Sequence, residues 1–152
     1  MAGRSDRPRK FFSDEEQRAV VRAIEAAERR TSGEVRIHVE RDLPRGLDPY
    51  QRAREVFAAL GMHATAAHNG VLFYLATRSR RFAVVGDEAL HQVVGERFWD
   101  DVASLMAQHF VGDRFGDGLA AGIAKVGERL REHFPYQTDD VNELPDEISY
   151  AD

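Results

Sequence analysis

Hydrophobic positions recur with a helical period in four stretches of the chain. Val20, Ala23, Ile24 and Ala27 form one stripe, and Ala53, Val56, Phe57 and Leu60 a second. Phe98, Trp99, Val102, Leu105, Met106, His109 and Phe110 form a third; Leu119, Ile123, Val126, Leu130 and Phe134 form the fourth. This spacing predicts amphipathic helices that each bury one face. Between them the period changes. Val35, Ile37 and Val39 alternate with Glu34, Arg36, His38 and Glu40, as in a strand with one polar face near a sheet edge. Val71–Ala76 is apolar without alternation, the pattern of a central strand covered on both faces. Arg81–Val85 is a third strand, joined to it through the turn Thr77-Arg78-Ser79-Arg80 and closed by Gly86-Asp87.

Local signals fix the helix starts. Ser13 with Glu16 three residues later spells a capping box. Asp48 caps the second helix and Pro49 fits its first turn. The element order is therefore α-β-α-β-β-α-α. Its β-α-β part requires a right-handed parallel crossover, and an α/β fold follows: a three-layer α/β/α sandwich around a small mixed β-sheet.

Composition narrows the function. The 152 residues are 43% hydrophobic and 31% charged, enough for one folded domain, and the net charge of −5 argues against nucleic acid as a partner. No cysteine is present, so thiolate metal sites, disulfides and Cys nucleophiles are excluded. No stretch approaches the roughly 18 apolar residues of a membrane span, and no secretory leader pattern is present; a cytoplasmic location is expected. The ends differ from the middle. Residues 1–10 carry Arg4, Arg7, Arg9 and Lys10 against Asp6. Residues 136–152 carry Asp139, Asp140, Glu143, Asp146, Glu147 and Asp152 with no Lys or Arg. Neither end shows apolar periodicity. The expected organisation is a flexible basic segment 1–10, a domain 11–135 and an acidic tail 136–152, with only Phe134, Pro135 and Leu144 of the last stretch touching the domain.

Strand direction places the candidate chemistry. If the first two strands are parallel and the third returns, Glu34, Asn69, Asp87 and Glu88 meet at one sheet edge. All four offer hard oxygen donors suited to calcium or magnesium. The acidic glycine-rich loop Asp113–Asp117 is a candidate for the same rim. A competing reading makes Glu34 a solvated strand end and Asp87 the cap of the next helix. His91 follows closely enough to reach the rim as a ligand or a general acid/base. No GxSxG, Walker A or HExxH pattern occurs. Gly112–Gly118 precedes a helix, but its carboxylates would repel a phosphate unless a cation bridged the two. Arg78, Arg80 and Arg81 cluster at the opposite edge and read as a solvated turn.

Several short motifs, in order, resemble those of the TPM domain family: Ser32-Gly33-Glu34-Val35-Arg36-Ile37, Asn69-Gly70-Val71-Leu72-Phe73, Phe82-Ala83-Val84-Val85-Gly86-Asp87, Phe98-Trp99, Phe110 with its Gly-Asp loop, Gly118-Leu119, Phe134-Pro135-Tyr136 and Asn142–Glu147. The resemblance spans about residues 11–148. It implies a Rossmann-like α/β/α sandwich. It also implies calcium binding through Asn69, Asp87 and the Asp113–Asp117 loop, with Glu34 alongside. The family includes a thylakoid-lumen acid phosphatase, as well as membrane-anchored and soluble bacterial proteins. Asp113-Arg114-Phe115 stands where family loops often read Gly-Asp-Tyr. Three functions are expected in turn: a calcium-binding (or magnesium-binding) domain with a binding or regulatory role, a weak metal-dependent acid phosphatase, or an interaction module whose acidic tail docks a basic protein partner. No nucleophile or general base supports the second.

Overall fold

The unbroken apolar run Val71–Ala76 forms a strand, β2, in which every residue is buried. A computed structural model describes residues 3–65, 67–136 and 148–151. Strand β1 (Val35–Glu40) lies parallel to β2, with Val35 opposite Val71 and Glu40 opposite Ala76. Strand β3 (Arg81–Gly86) returns antiparallel, with Val71 opposite Gly86. A fourth strand, β4 (Ser149–Ala151), pairs parallel to β1, so the sheet order is β3-β2-β1-β4.

The helices are α1 (Pro8–Phe11), α2 (Asp14–Glu28), α3 (Pro49–Ala59), α4 (Glu88–Phe110) and α5 (Phe115–His133). The capping boxes of α2 (Ser13 with Glu16) and α3 (Asp48 with Gln51) are both formed. One sheet face carries the larger core: Ile37, Phe73, Leu75 and Val84 pack with Ile24, Met106, Ile123 and Leu130 from α2, α4 and α5. The other face is covered by α3, where Ala53, Val56 and Phe57 meet Leu72, Tyr74 and Val85. Val84 and Val85 sit in different cores because adjacent strand residues face opposite ways. The result is the expected three-layer α/β/α arrangement around a mixed sheet.

Three expectations change. First, β1 lies next to the edge strand β4, but its polar face is not solvated: His38 and Glu40 are buried because side chains from α3, β2 and β4 meet them. Second, contacts of the final stretch extend beyond Phe134: Ile148 and Tyr150 pack on the larger core. Leu144 and the carboxylates between 139 and 147 lie outside the described residues. Within the first ten residues, Pro8 is buried and Arg4 is held by several hydrogen bonds. Third, the helix read from Phe98 onward begins at Glu88 and is interrupted at Gly95, whose φ of 76° and ψ of 170° suit glycine alone. No helix among the described residues is long and apolar enough to cross a membrane.

Candidate cation site at the amino rim of the sheet

The last rungs of the ladder put three strand ends in one row. Val71 N donates to Glu34 O at 2.8 Å, and Asp87 N donates to Gly70 O at 2.8 Å. Glu34, Asn69 and Asp87 therefore gather at the edge where β1 and β2 begin and β3 ends, and all three are buried, at 3%, 1% and 6% exposure. Glu34 is thus not a solvated strand end. Asp87 does cap α4, one carboxylate oxygen accepting from Glu88 N at 2.8 Å. Its other oxygen, Oδ2, is buried without a hydrogen-bond partner. Asn69 is in a similar position: Nδ2 donates to Ser32 Oγ at 3.2 Å, while Oδ1 is buried and unbonded. Native interiors leave few such atoms, because each forfeits its hydration without replacement.

Two imidazoles flank the carboxylate. His63 Nδ1 stands 3.9 Å from Asp87 Oδ1, and His68 Nδ1 stands 3.7 Å from Oδ2. Both distances are too long for hydrogen bonds, and both rings are exposed. Phe57 on α3 orients His63 through an edge-on ring contact at 4.8 Å. Glu88 is exposed. Beside Asp87 an open groove of about 760 Å³ runs past Tyr50, Arg54, His63, Glu88 and His91. His91 reaches this groove, but its Nδ1 accepts a hydrogen bond from Trp99 Nε1 at 3.1 Å.

Asp113 and Asp117 do not join the rim. Helix α4 starts at the rim, breaks at Gly95 and then carries the chain away from the rim. The loop that follows lies by the β2–β3 turn at the other end of the sheet. There Asp113 Oδ1 pairs with Arg4 Nε at 3.2 Å, Arg4 also binds Asp113 O at 2.8 Å, and Arg80 reaches Arg4 O at 3.3 Å. Asp117 is exposed in the first turn of α5. Among the described residues, no group of three or more His, Asp or Glu side chains is arranged to hold a metal ion. A cation at the rim would therefore rest on the unbonded oxygens of Asn69 and Asp87, with Glu34 adjacent, and those are donors that fit calcium or magnesium.

Sequence reasoning missed a second polar cluster, at the opposite end of the same strands. Arg52 on α3 clasps Glu40 through two hydrogen bonds, Nε to Oε2 at 2.8 Å and Nη2 to Oε1 at 2.9 Å. The Tyr74 hydroxyl donates to Glu40 Oε2 as well. His38 Nε2 stands 3.8 Å from Glu40 Oε1, and His38 Nδ1 meets Ser149 Oγ at 2.9 Å. Burial opposes ionisation of Glu40, but Arg52, His38 and Tyr74 outweigh it and hold the carboxyl at about 2. Burial, then the Glu40 carboxylate, push the Tyr74 phenol well above its usual value. One signal in the sequence pointed here: Tyr74 is the single polar-tipped residue in the run Val71–Ala76, and it lies opposite His38.

Comparison with known proteins agrees with this fold. The chain matches the TPM domain family over residues 6–129. It is similar to the solution structure of the BA42 protein from the psychrophilic bacterium Bizionia argentinensis, with 38% identity and a TM-score of 0.87 over 97% of this chain and 100% of that one. Two further structures share the fold at 16% identity. The N-terminal domain of the cg2496 protein from Corynebacterium glutamicum has a TM-score of 0.59 over 78% of this chain and 74% of that one. The N-terminal domain of a protein from P. gingivalis has a TM-score of 0.64 over 81% and 78%. No curated protein matches the chain. Motif order, sheet topology and this match over most of its length agree: the chain belongs to the TPM domain family.

Proposed function

We propose that the chain is a divalent-cation-binding domain, for calcium or magnesium, with a binding or regulatory role. The observation that carries this reading is the pair of buried, unbonded oxygens, Asn69 Oδ1 and Asp87 Oδ2, at one strand edge. Glu34 adds charge beside them, and Glu88 and His91 line the approach. With so few protein ligands the ion keeps much of its water, which favours a weak, exchangeable site. Asp113 and Asp117 are not part of it. An ion that binds only the folded state raises stability by about 2.7 kcal/mol when free metal is about 100 times its dissociation constant. Titration with calcium and magnesium, read by melting temperature and by amide shifts at Asn69, Asp87 and Glu88, tests the reading. Asp87→Ala is expected to abolish both responses. The alternative of a weak acid phosphatase needs hydrolysis of a phosphomonoester that disappears with a chelator and with Asp87→Ala. A bound cation would then polarise the phosphoryl oxygen.

A further inference from the structure

Strand β3 is one edge of the sheet, with β2 as its single neighbour among the described residues. Asp87 N donates to Gly70 O, and the antiparallel register then sets Val85 opposite Leu72, Val84 opposite Phe73 and Ala83 opposite Tyr74. In such a ladder, hydrogen-bonded pairs alternate with non-hydrogen-bonded ones. Arg81, Ala83, Val85 and Asp87 therefore turn their backbone N–H and C=O toward β2, and Phe82, Val84 and Gly86 turn theirs outward. The usual guards of a sheet edge are missing. Strand β3 has six residues in unbroken register, no Pro, and one charge, Arg81, at its start. The other edge strand, β4, has three residues.

An open groove of about 400 Å³ follows this edge, with Tyr50 of α3 on one side, Trp99 of α4 on the other, and Ala83, Val84 and Gly86 between them. Ala83 and Val84 point to opposite faces of the sheet, so a groove that touches both straddles the edge. Gly86 has no side chain, so what it offers the groove is backbone. A Cβ there would collide with the Trp99 ring, and glycine lets the indole close against the strand end. The ring is fixed by donation from Nε1 to His91 Nδ1 at 3.1 Å. Tyr50 is half exposed. The charge along the α4 wall has one sign. Glu96 and Asp100 are both exposed, and none of the residues lining the groove is Lys or Arg. The two carboxylates stand four residues apart on the helix, where like charges repel.

We infer that this edge docks an extended basic peptide segment of a partner protein, which adds to the sheet as a strand beside β3. Its backbone pairs with the outward groups of Phe82, Val84 and Gly86, as in other recognition by strand addition. Successive side chains of the added strand face opposite ways. Those turned toward α4 are Lys or Arg, set against Glu96, Asp100 and the Trp99 ring. A second copy of this chain fits worse, because pairing β3 with β3 brings the Glu96 and Asp100 carboxylates of both copies to one seam. The assignment does not rest on the cation reading.

The probe is a capped hexapeptide of alternating Lys and Val, titrated into the full chain with a chelator present, so that no cation at Asp87 contributes. A saturable change is expected in the emission of Trp99, the chain's single tryptophan. Hydrogen exchange should slow at the amides of Val84 and Gly86, which gain acceptors from the added strand. The same peptide methylated on alternate backbone nitrogens, those that would face β3, keeps its charge but cannot pair and should not bind. Glu96→Gln combined with Asp100→Asn, at exposed positions, should weaken binding about fivefold at low salt and by less as salt is raised. Absence of binding, equal binding of the methylated peptide or of a Glu–Val hexapeptide, or binding without protection at Val84 and Gly86 would each overturn the assignment. So would a concentration-dependent dimer that protects the same two amides and excludes the peptide, since the edge would then belong to a second copy.

Discussion

Glu40 and Asp87 are both carboxylates buried at a strand end, with 6% exposure each, yet the fold treats them in opposite ways. Glu40 receives a bidentate guanidinium and a phenol, so its charge is compensated on the spot. Asp87 receives one backbone N–H and two imidazoles beyond hydrogen-bond distance, and no hydrogen bond reaches Oδ2. A satisfied buried charge locks a structure, whereas an unsatisfied one costs stability unless something outside the chain completes it. That contrast assigns architecture to the Glu40 end and leaves Asp87 Oδ2 as the buried oxygen on which the proposed cation site rests.

The largest expected effect comes from breaking the satisfied end. Arg52→Met leaves Glu40 buried without its main counter-charge and should destabilise the fold by about 3–5 kcal/mol in chemical denaturation at neutral pH. A loss under about 1 kcal/mol would mean that Glu40 is solvated and the contrast is false. Acid should expose the same dependence. The Glu40 carboxyl is held at about 2 against its usual 4.5. Its contribution is therefore full above about pH 4.5 and is lost as pH falls from there toward 2, on the order of 3 kcal/mol in all. In Glu40→Gln that part of the acid dependence should vanish. Tyr74→Phe removes one hydrogen bond to a charged group and should cost about 1.5–3 kcal/mol.

The sequence made some of this contrast legible and hid the rest. The apolar run Val71–Ala76 and the Ser13–Glu16 box carry their own structural instructions, so β2 and the start of α2 were readable directly. Strand direction alone brought Asn69, Asp87 and Glu34 together. Strand β4 was not readable, because three residues hold no period and the strand exists only once β1 offers an edge to pair with. The Glu40 cluster was hidden for a related reason. Alternation of polar and apolar residues in β1 looks the same whether the polar face meets water or meets Arg52 and Tyr74. The misplaced Asp113–Asp117 loop traces to α4: without its opening turns from Glu88, the distance that helix spans could not be counted.

At the unsatisfied end, effects without metal should be small. Asp87→Ala loses the α4 cap and should cost under about 1 kcal/mol, less than a typical capping loss because it also removes an unbonded buried oxygen. Asp87→Asn keeps an oxygen for the cap and should change stability by less still, while weakening cation binding through the lost charge. A variant pair with equal, large losses in metal-free buffer would place Asp87 among the locked, purely structural carboxylates beside Glu40.

The most direct measurement is the melting temperature of the wild-type chain and of Asp87→Ala, with a chelator and with millimolar calcium or magnesium, alongside amide shifts. The cation reading predicts that metal raises the wild-type melting temperature and moves the resonances of Asn69, Asp87 and Glu88, and that Asp87→Ala responds to neither ion. An unchanged wild-type melting temperature with no movement at those amides, or an equal response in Asp87→Ala, would contradict it.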